Sequence, residues 1–194
     1  MAKKHQSEFR PDPKGPGFFS RMYITPSQRM RALKWFLYGV NVILLLVLQD
    51  VIFSRMNILG ATTDLVPAVL LMVCVMEGVE SGGLFVLIMS GIYLLSGSAP
   101  ISGVMILLTV LGMGGSMFRE SFLRKGFSSA ILCAGTALMV YELAVFLWGL
   151  MTGLTLTSRV GVYLLTGVMS VLCLPGMYPI LKLIGKIGGE TWKE

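Results

Sequence analysis

The chain has 194 residues, of which 55% are hydrophobic and only 13% are charged, and its formal net charge at pH 7 is +6. A soluble domain of this length needs more charged residues to cover its surface, so the composition excludes an ordinary soluble domain and indicates an all-α integral membrane protein. The basic residues lie at the ends of apolar segments rather than on one soluble face, which favours membrane lipid and not nucleic acid as the surroundings.

Three regions follow along the chain. Residues 1–32 are polar, basic and interrupted by prolines, and we expect a cytoplasmic tail there. Residues 33–178 are predicted to form a transmembrane domain of about six helices, and residues 179–194 a short cytoplasmic segment whose amphipathic start lies at the membrane surface. The predicted helices cover residues 33–53, 58–76, 82–96, 100–118, 127–151 and 158–178. The third segment is short and is expected to extend into its polar flanks.

The distribution of Lys and Arg predicts the orientation. With six spans, both tails and the loop at 119–125 lie on one side of the membrane, and of the 16 basic residues only Arg55 and Arg159 fall in the two opposite connections. Basic residues accumulate in cytoplasmic loops. We therefore predict a multi-pass protein of the bacterial cytoplasmic membrane with both termini in the cytoplasm.

No catalytic, cofactor or metal site is evident in the sequence. The cysteines Cys74, Cys133 and Cys173 lie in apolar runs without metal-ligand spacing, and they are interpreted as small packing residues. The glycines of Gly112-Met113-Gly114-Gly115 and of Gly149-xxx-Gly153 are interpreted as points of close helix approach. We therefore predict a protein that is not an enzyme.

A few polar residues near the apolar segments are the candidate functional residues, since such groups are costly in lipid unless they are paired or face a cavity. They are Asn41, Asp50, Arg55, Asp64, Glu142 and Arg159. One interpretation is a small outward-facing polar pocket built from the first, second and fifth helices. The other is that Asp50 and Asp64 lie at the membrane interface or pair with Arg55, and that Glu142 pairs with Arg159. Separately, Asn41 is a candidate for a hydrogen bond to a neighbouring or partner helix. Glu77 and Glu80, at the inner turn, are expected to be solvated.

The stretch 59–112 resembles the rod shape-determining protein MreD family. The resemblance is carried by a polar end to the first helix at Gln49-Asp50-Val51-Ile52, by Asp64-Leu65-Val66-Pro67 opening the second, and by a tight turn at Glu77-Gly78. A Gly-rich helix follows, from Gly82-Gly83-Leu84-Phe85 to Ser96-Gly97, and the next helix opens at Pro100-Ile101-Ser102-Gly103. In contrast, Tyr93 stands where family members often carry an acidic residue.

This resemblance implies a non-enzymatic membrane scaffold of the bacterial cell-elongation machinery, which regulates cell shape and peptidoglycan synthesis. The implied partners are an MreC-like bitopic protein, through it the MreB filament, a RodA-type glycosyltransferase and a penicillin-binding transpeptidase. Small residues would let partner helices approach closely, and polar groups such as Asn41 would fix their register.

An alternative is the substrate-binding component of an energy-coupling-factor vitamin transporter. That component has about six helices, and MreD proteins resemble its fold. The transporter family binds its ligand in an outer-half pocket, where Asp64, Glu142 and Arg159 could lie. Against it, the first helix lacks the Ala-xxx-Ala repeat that the family uses for docking, and Trp35, Trp148 and Trp192 are better explained as anchors at the membrane interface.

Overall fold

The computed structural model describes residues 26–55, 60–123 and 126–187. This part of the chain is all-helical, and each of the six predicted segments overlaps an α-helix. Two single-turn 3₁₀ helices, Phe53–Arg55 and Thr157–Arg159, lie in the connections. The α-helices are α1 (Pro26–Val51), α2 (Leu65–Glu77), α3 (Val79–Leu95), α4 (Val104–Phe122), α5 (Phe127–Met151) and α6 (Val160–Lys186).

Three stretches of helix are long and apolar enough to cross a membrane. They are Gln28–Val51, Phe127–Met151 and Thr157–Lys186, with mean hydropathies of 1.7, 2.0 and 1.8. About 20 apolar residues suffice to span the hydrocarbon core, and each of these stretches exceeds that length. The composition therefore yields the long apolar helices that are typical of a membrane protein.

Helix α2 is the centre of the bundle. Each of its residues is buried, and it contacts all five other α-helices. Its sequence reads LVPAVLLMVCVME and is apolar on every side until the last residue, so no face of it is suited to water. In the stretch that leads into α2, Ala61 is buried and residues 62–64 are half-buried.

Glycines bring α3 and α4 close to α2 at Cys74. A Cβ atom added to Gly82 of α3 would lie 2.8 Å from Cys74 Cα, and one added to Gly112 of α4 would lie 3.1 Å from Cys74 Sγ. The interpretation of Cys74 as a small packing residue and of Gly112 as a point of close approach is thus confirmed. Gly114 instead faces open space among the described residues, with nothing within 4 Å of an added Cβ.

The interpretation of Gly149-xxx-Gly153 as a helix contact is wrong. A Cβ on Gly149 would meet Thr155 of the following turn at 2.9 Å, and Gly153 has a positive φ of 73° in open space. The Leu154 amide donates to the Gly149 carbonyl oxygen over 2.8 Å, as in a Schellman motif. These two glycines therefore terminate α5 and do not pack it against another helix.

The expectation that Glu77 is solvated is also wrong, although Glu80 is exposed. Glu77 is buried, and its Oε2 lies 2.6 Å from Lys34 Nζ while its Oε1 accepts a hydrogen bond of 2.8 Å from the Tyr38 hydroxyl. The Tyr38 hydroxyl also lies 3.2 Å from the Leu181 carbonyl oxygen. This network ties α1, α2 and α6 together at the end of the bundle that holds the N-terminus of α1.

Several helix boundaries differ from the prediction. The second predicted helix begins at Leu65 and not at 58, since residues 60–64 are not helical. Two further differences lie at prolines. Helix α1 begins at Pro26, so residues 26–32 of the expected tail are its first turns, and proline suits a first turn because it needs no amide partner there. Helix α6 continues through Pro175 and Pro179 to Lys186, so it runs past the break expected at 178. Residues 1–25 and 188–194 lie outside the described residues.

Candidate functional site

The candidate site begins where the chain enters α2. The first amides of a helix lack partners within the helix, and Asp64, at the N-cap position, makes no side-chain bond to them. Gln49 of α1 supplies the missing acceptor: its Oε1 accepts from the amides of Leu65 at 2.8 Å and Val66 at 3.0 Å. The polar end of α1 thereby fixes the start of α2, and the Asp64 carboxyl is left for other contacts.

The backbone of Asp64 is held by α6. Its amide donates to Ser170 Oγ over 2.8 Å, and Ser170 Oγ donates in turn to the Thr166 carbonyl oxygen over 2.8 Å. Ser170 is fully buried and Thr166 nearly so. These bonds set the position of Asp64 relative to the first half of α6, where a polar surface faces it.

A cavity of about 330 Å³ lies at this junction. It is bounded by the entry to α2, the connection between α3 and α4, the second half of α5 and the start of α6. Its lining residues are Gly60, Thr62, Asp64, Ser98, Pro100, Glu142, Val145, Arg159, Val162, Tyr163 and Thr166. The structure therefore brings Asp64, Glu142 and Arg159, three of the six candidate residues, together at one polar cavity.

Two carboxyl groups meet at the cavity. The side chains of Asp64 and Glu142 both line it, so two acidic groups border the same polar space. Glu142 is only 2% exposed, and its Oε1 accepts no hydrogen bond from any residue that the structure describes. One buried carboxyl oxygen at the cavity thus has unused capacity to accept a hydrogen bond.

Gly167 of α6 makes room for Glu142. A Cβ atom at Gly167 would lie 3.3 Å from Glu142 Cγ and 2.8 Å from Met139 Sδ. Met139 can move aside because its side chain is flexible, whereas Glu142 is confined by the packing of α5. The small residue on α6 therefore determines how closely the Glu142 side chain can lie against that helix.

Two buried tyrosines lie close to the carboxyl pair. Tyr93 and Tyr141 are almost fully buried, and both lie within electrostatic range of Asp64 and Glu142. The Tyr93 hydroxyl donates to the Ser98 carbonyl oxygen over 3.3 Å. Tyr93 thus holds the connection that bounds the cavity.

The predicted pocket is made from different helices than expected. Helix α1 contributes no lining residue, while α6 and the connection between α3 and α4 do. Asp50 lies beside the cavity, where its Oδ2 accepts a 2.7 Å hydrogen bond from Ser98 Oγ. Arg55 is exposed and Asn41 half-buried, and neither lines the cavity. A partner contact through Asn41 stays a prediction.

Sequence reasoning missed several residues that build the site. Gln49 was noted only as part of a polar helix end, and nothing in the pattern indicated that it caps a helix 16 residues away. Ser98, Tyr163, Thr166 and Ser170 are hydroxyl residues of a kind that is common in membrane helices. Only the expectation that these residues lie at the same depth in the membrane as Asp64 and Glu142 could have suggested that they belong to one site.

The described residues contain no group of three or more His, Cys, Asp and Glu side chains that could hold a metal ion. No protein-family model matches the sequence, and neither a curated protein nor a solved structure was found to match it.

Proposed function

We propose that this chain is a non-enzymatic membrane scaffold of the bacterial cell-elongation machinery, acting in cell shape and peptidoglycan synthesis as MreD proteins do. The observation that carries the proposal is a long apolar groove between α5 and α6. Its geometry suits a transmembrane helix of a partner, and the resemblance at residues 59–112 indicates which partner that would be.

The groove encloses about 880 Å³ and is lined almost entirely by apolar side chains. Its lining residues are Phe127, Ser128, Ile131, Leu132, Gly135, Thr136, Met139, Val140, Val168, Val171 and Leu172. The small residues Ser128, Gly135 and Thr136 lie among larger ones, which creates a concave surface along α5. Helices associate in lipid through close packing at small residues, so this surface favours a helix over loosely ordered acyl chains.

The proposed occupant is the single transmembrane helix of an MreC-like bitopic protein. One helix suffices to fill a groove between two helices, and its side-chain ridges would interdigitate with the exposed rows at Leu132, Val140, Val168 and Leu172. Through this protein the scaffold would reach the MreB filament on the cytoplasmic side. A RodA-type glycosyltransferase and a penicillin-binding transpeptidase would complete the assembly in the membrane.

The proposal includes six membrane spans with both termini in the cytoplasm. Helix α2 has 13 residues and measures only about 20 Å, less than the hydrocarbon thickness. It is enclosed by protein, however, and an incomplete span is tolerated in a membrane where neighbouring helices cover the irregular backbone. A reporter enzyme that works only in the cytoplasm is expected to be active when it is fused at residue 194. Activity of a reporter that works only outside the cytoplasm would contradict six spans.

Site-specific photocrosslinking tests the groove directly. A photoreactive amino acid is placed at Leu132, which lines the groove and is 56% exposed, and for comparison at Leu84 of α3, which is 60% exposed outside it. We expect the Leu132 position to capture an MreC-like bitopic protein in living cells and the Leu84 position not to. Equal capture at both positions, or none at Leu132, would refute the groove as the docking surface.

One observation favours the alternative, a substrate-binding component of an energy-coupling-factor transporter. The polar cavity has the size of a small-molecule site, and a pure scaffold has no need of one. The two functions differ in their partners: a transporter component would associate with two ATPases and a shared coupling subunit. Recovery of those proteins with this chain would replace the scaffold proposal.

A further inference from the structure

The cavity at the entry to α2 has a chemical character that the scaffold role does not require. Its volume of about 330 Å³ equals that of roughly ten water molecules, enough for one small polar molecule. Polar side chains from four separate parts of the chain converge on it, among them Thr62, Asp64, Ser98, Glu142 and Arg159. This convergence is typical of a ligand site.

The unused acceptor at Glu142 Oε1 indicates a ligand that donates a hydrogen bond. A buried polar atom without a partner destabilises a protein, and a bound molecule that donates to it is one explanation for its presence. The Asp64 carboxyl lines the same cavity, so this end of the cavity is acidic. A donor with a positive charge, such as a primary ammonium group, therefore matches this end of the cavity.

Arg159 supplies a positive charge to the same cavity. It lies in the 3₁₀ helix before α6 and is exposed, so its guanidinium is accessible to a ligand that enters from outside. A guanidinium binds carboxylate and phosphate groups in a bidentate geometry. A ligand with both charges can therefore place its anionic group at Arg159 and its cationic group at the carboxyl groups.

We propose that this cavity binds a small zwitterion whose primary ammonium group bonds to Glu142 and whose carboxylate or phosphate bonds to Arg159. Two sources share this chemistry: a free amino acid or phosphoethanolamine, and the headgroup of phosphatidylethanolamine in the surrounding membrane. This proposal does not depend on which proteins the chain associates with, because ligand binding to the cavity is measured on the purified chain alone.

The experiment compares ligands that differ only in whether the nitrogen can donate. Delipidated full-length protein in detergent is heated in the presence of phosphoethanolamine or phosphocholine, of glycine or its trimethyl derivative betaine, and of phosphatidylethanolamine or phosphatidylcholine with equal acyl chains. We expect the primary-ammonium member of at least one pair to raise Tm by roughly 5–10 °C at a hundredfold excess over Kd. The trimethylated member cannot donate to Glu142 and is expected to have no effect. Which pair responds identifies the source.

Substitutions locate the binding. E142Q and R159Q are each expected to raise Kd by about 10–100-fold, because each removes a charge-assisted hydrogen bond. R55Q alters an exposed arginine that does not line the cavity and is expected to leave Kd unchanged. If E142Q does not fold, R159Q still tests the proposal, because Arg159 is exposed and its substitution is expected to leave folding intact. Equal stabilisation by both members of every pair, no stabilisation by any ligand, or unchanged Kd in R159Q would overturn the proposal.

Discussion

The buried ion pair between Lys34 and Glu77 gives a sharp test of the bundle. Their side chains are 8% and 1% exposed, and Lys34 Nζ lies 2.6 Å from Glu77 Oε2. K34M removes the charge while keeping a long apolar side chain. It leaves the Glu77 carboxylate buried, with the Tyr38 hydroxyl as its remaining side-chain hydrogen-bond donor among the described residues. We expect K34M to destabilise the protein strongly.

The size of the effect follows from desolvation. Removing one member of a buried ion pair costs about 3–5 kcal/mol, because the remaining charge has no counterion. The hydrogen bond from Tyr38 survives in K34M, so the lower end, about 3 kcal/mol, is expected. At about 2–4 °C per kcal/mol for a chain of this length, Tm falls by roughly 6–12 °C. In the double variant K34M/E77M neither charge of the pair remains, so its stability is expected to return to within about 1 kcal/mol of wild type.

Unfolding by SDS in mixed detergent micelles, followed by circular dichroism, measures these differences. K186M is the matched control, because Lys186 is exposed at the end of α6 and its substitution is expected to change stability by less than about 0.5 kcal/mol. The reasoning is refuted if K34M unfolds like K186M. It is equally refuted if the double variant is as unstable as the single one.

Two further substitutions test the packing and capping of α2. G82A places a Cβ 2.8 Å from the backbone of Cys74 and is expected to cost about 1–3 kcal/mol of stability in the same SDS titration. G114A, with open space around it, is the control and is expected to be neutral or slightly stabilising. Equal effects of the two substitutions would contradict the close approach of α3 to α2. Q49A leaves two amides at the start of α2 without their acceptor and is expected to cost about 1–2 kcal/mol of stability. Amide hydrogen exchange at Leu65 is expected to become faster. Unchanged exchange at Leu65 would show that Gln49 does not cap α2.

The helices were predictable because apolar runs mark them. All six predicted segments overlap a helix, and the bounds of α5, at Phe127 and Met151, agree with the prediction to the residue. The bounds differ most at the start of α2, at Leu65, and at two positions near prolines, the start of α1 and the end of α6. In α6 both Pro175 and Pro179 are exposed, so the backbone groups that they disturb lie on the outer side of the helix and do not disrupt the bundle.

The candidate site was predictable only in part. Asp64, Glu142 and Arg159 come together because the order of the six helices places all three in the same half of the bundle. The partners of each residue were not predictable. Glu77 follows an apolar helix and precedes a turn, a pattern that equally fits an exposed residue, and its burial depends on Lys34, 43 residues earlier in the chain. Contacts of this range depend on how helices pack and leave no periodic signal in the sequence.

Affinity purification of the tagged chain from gently solubilised native membranes, followed by mass spectrometry, tests the scaffold role most directly. The proposal predicts recovery of an MreC-like bitopic protein together with a RodA-type glycosyltransferase and a penicillin-binding transpeptidase. Recovery of two ABC-type ATPases and a shared coupling subunit in their place would contradict it and would assign the chain to a transporter.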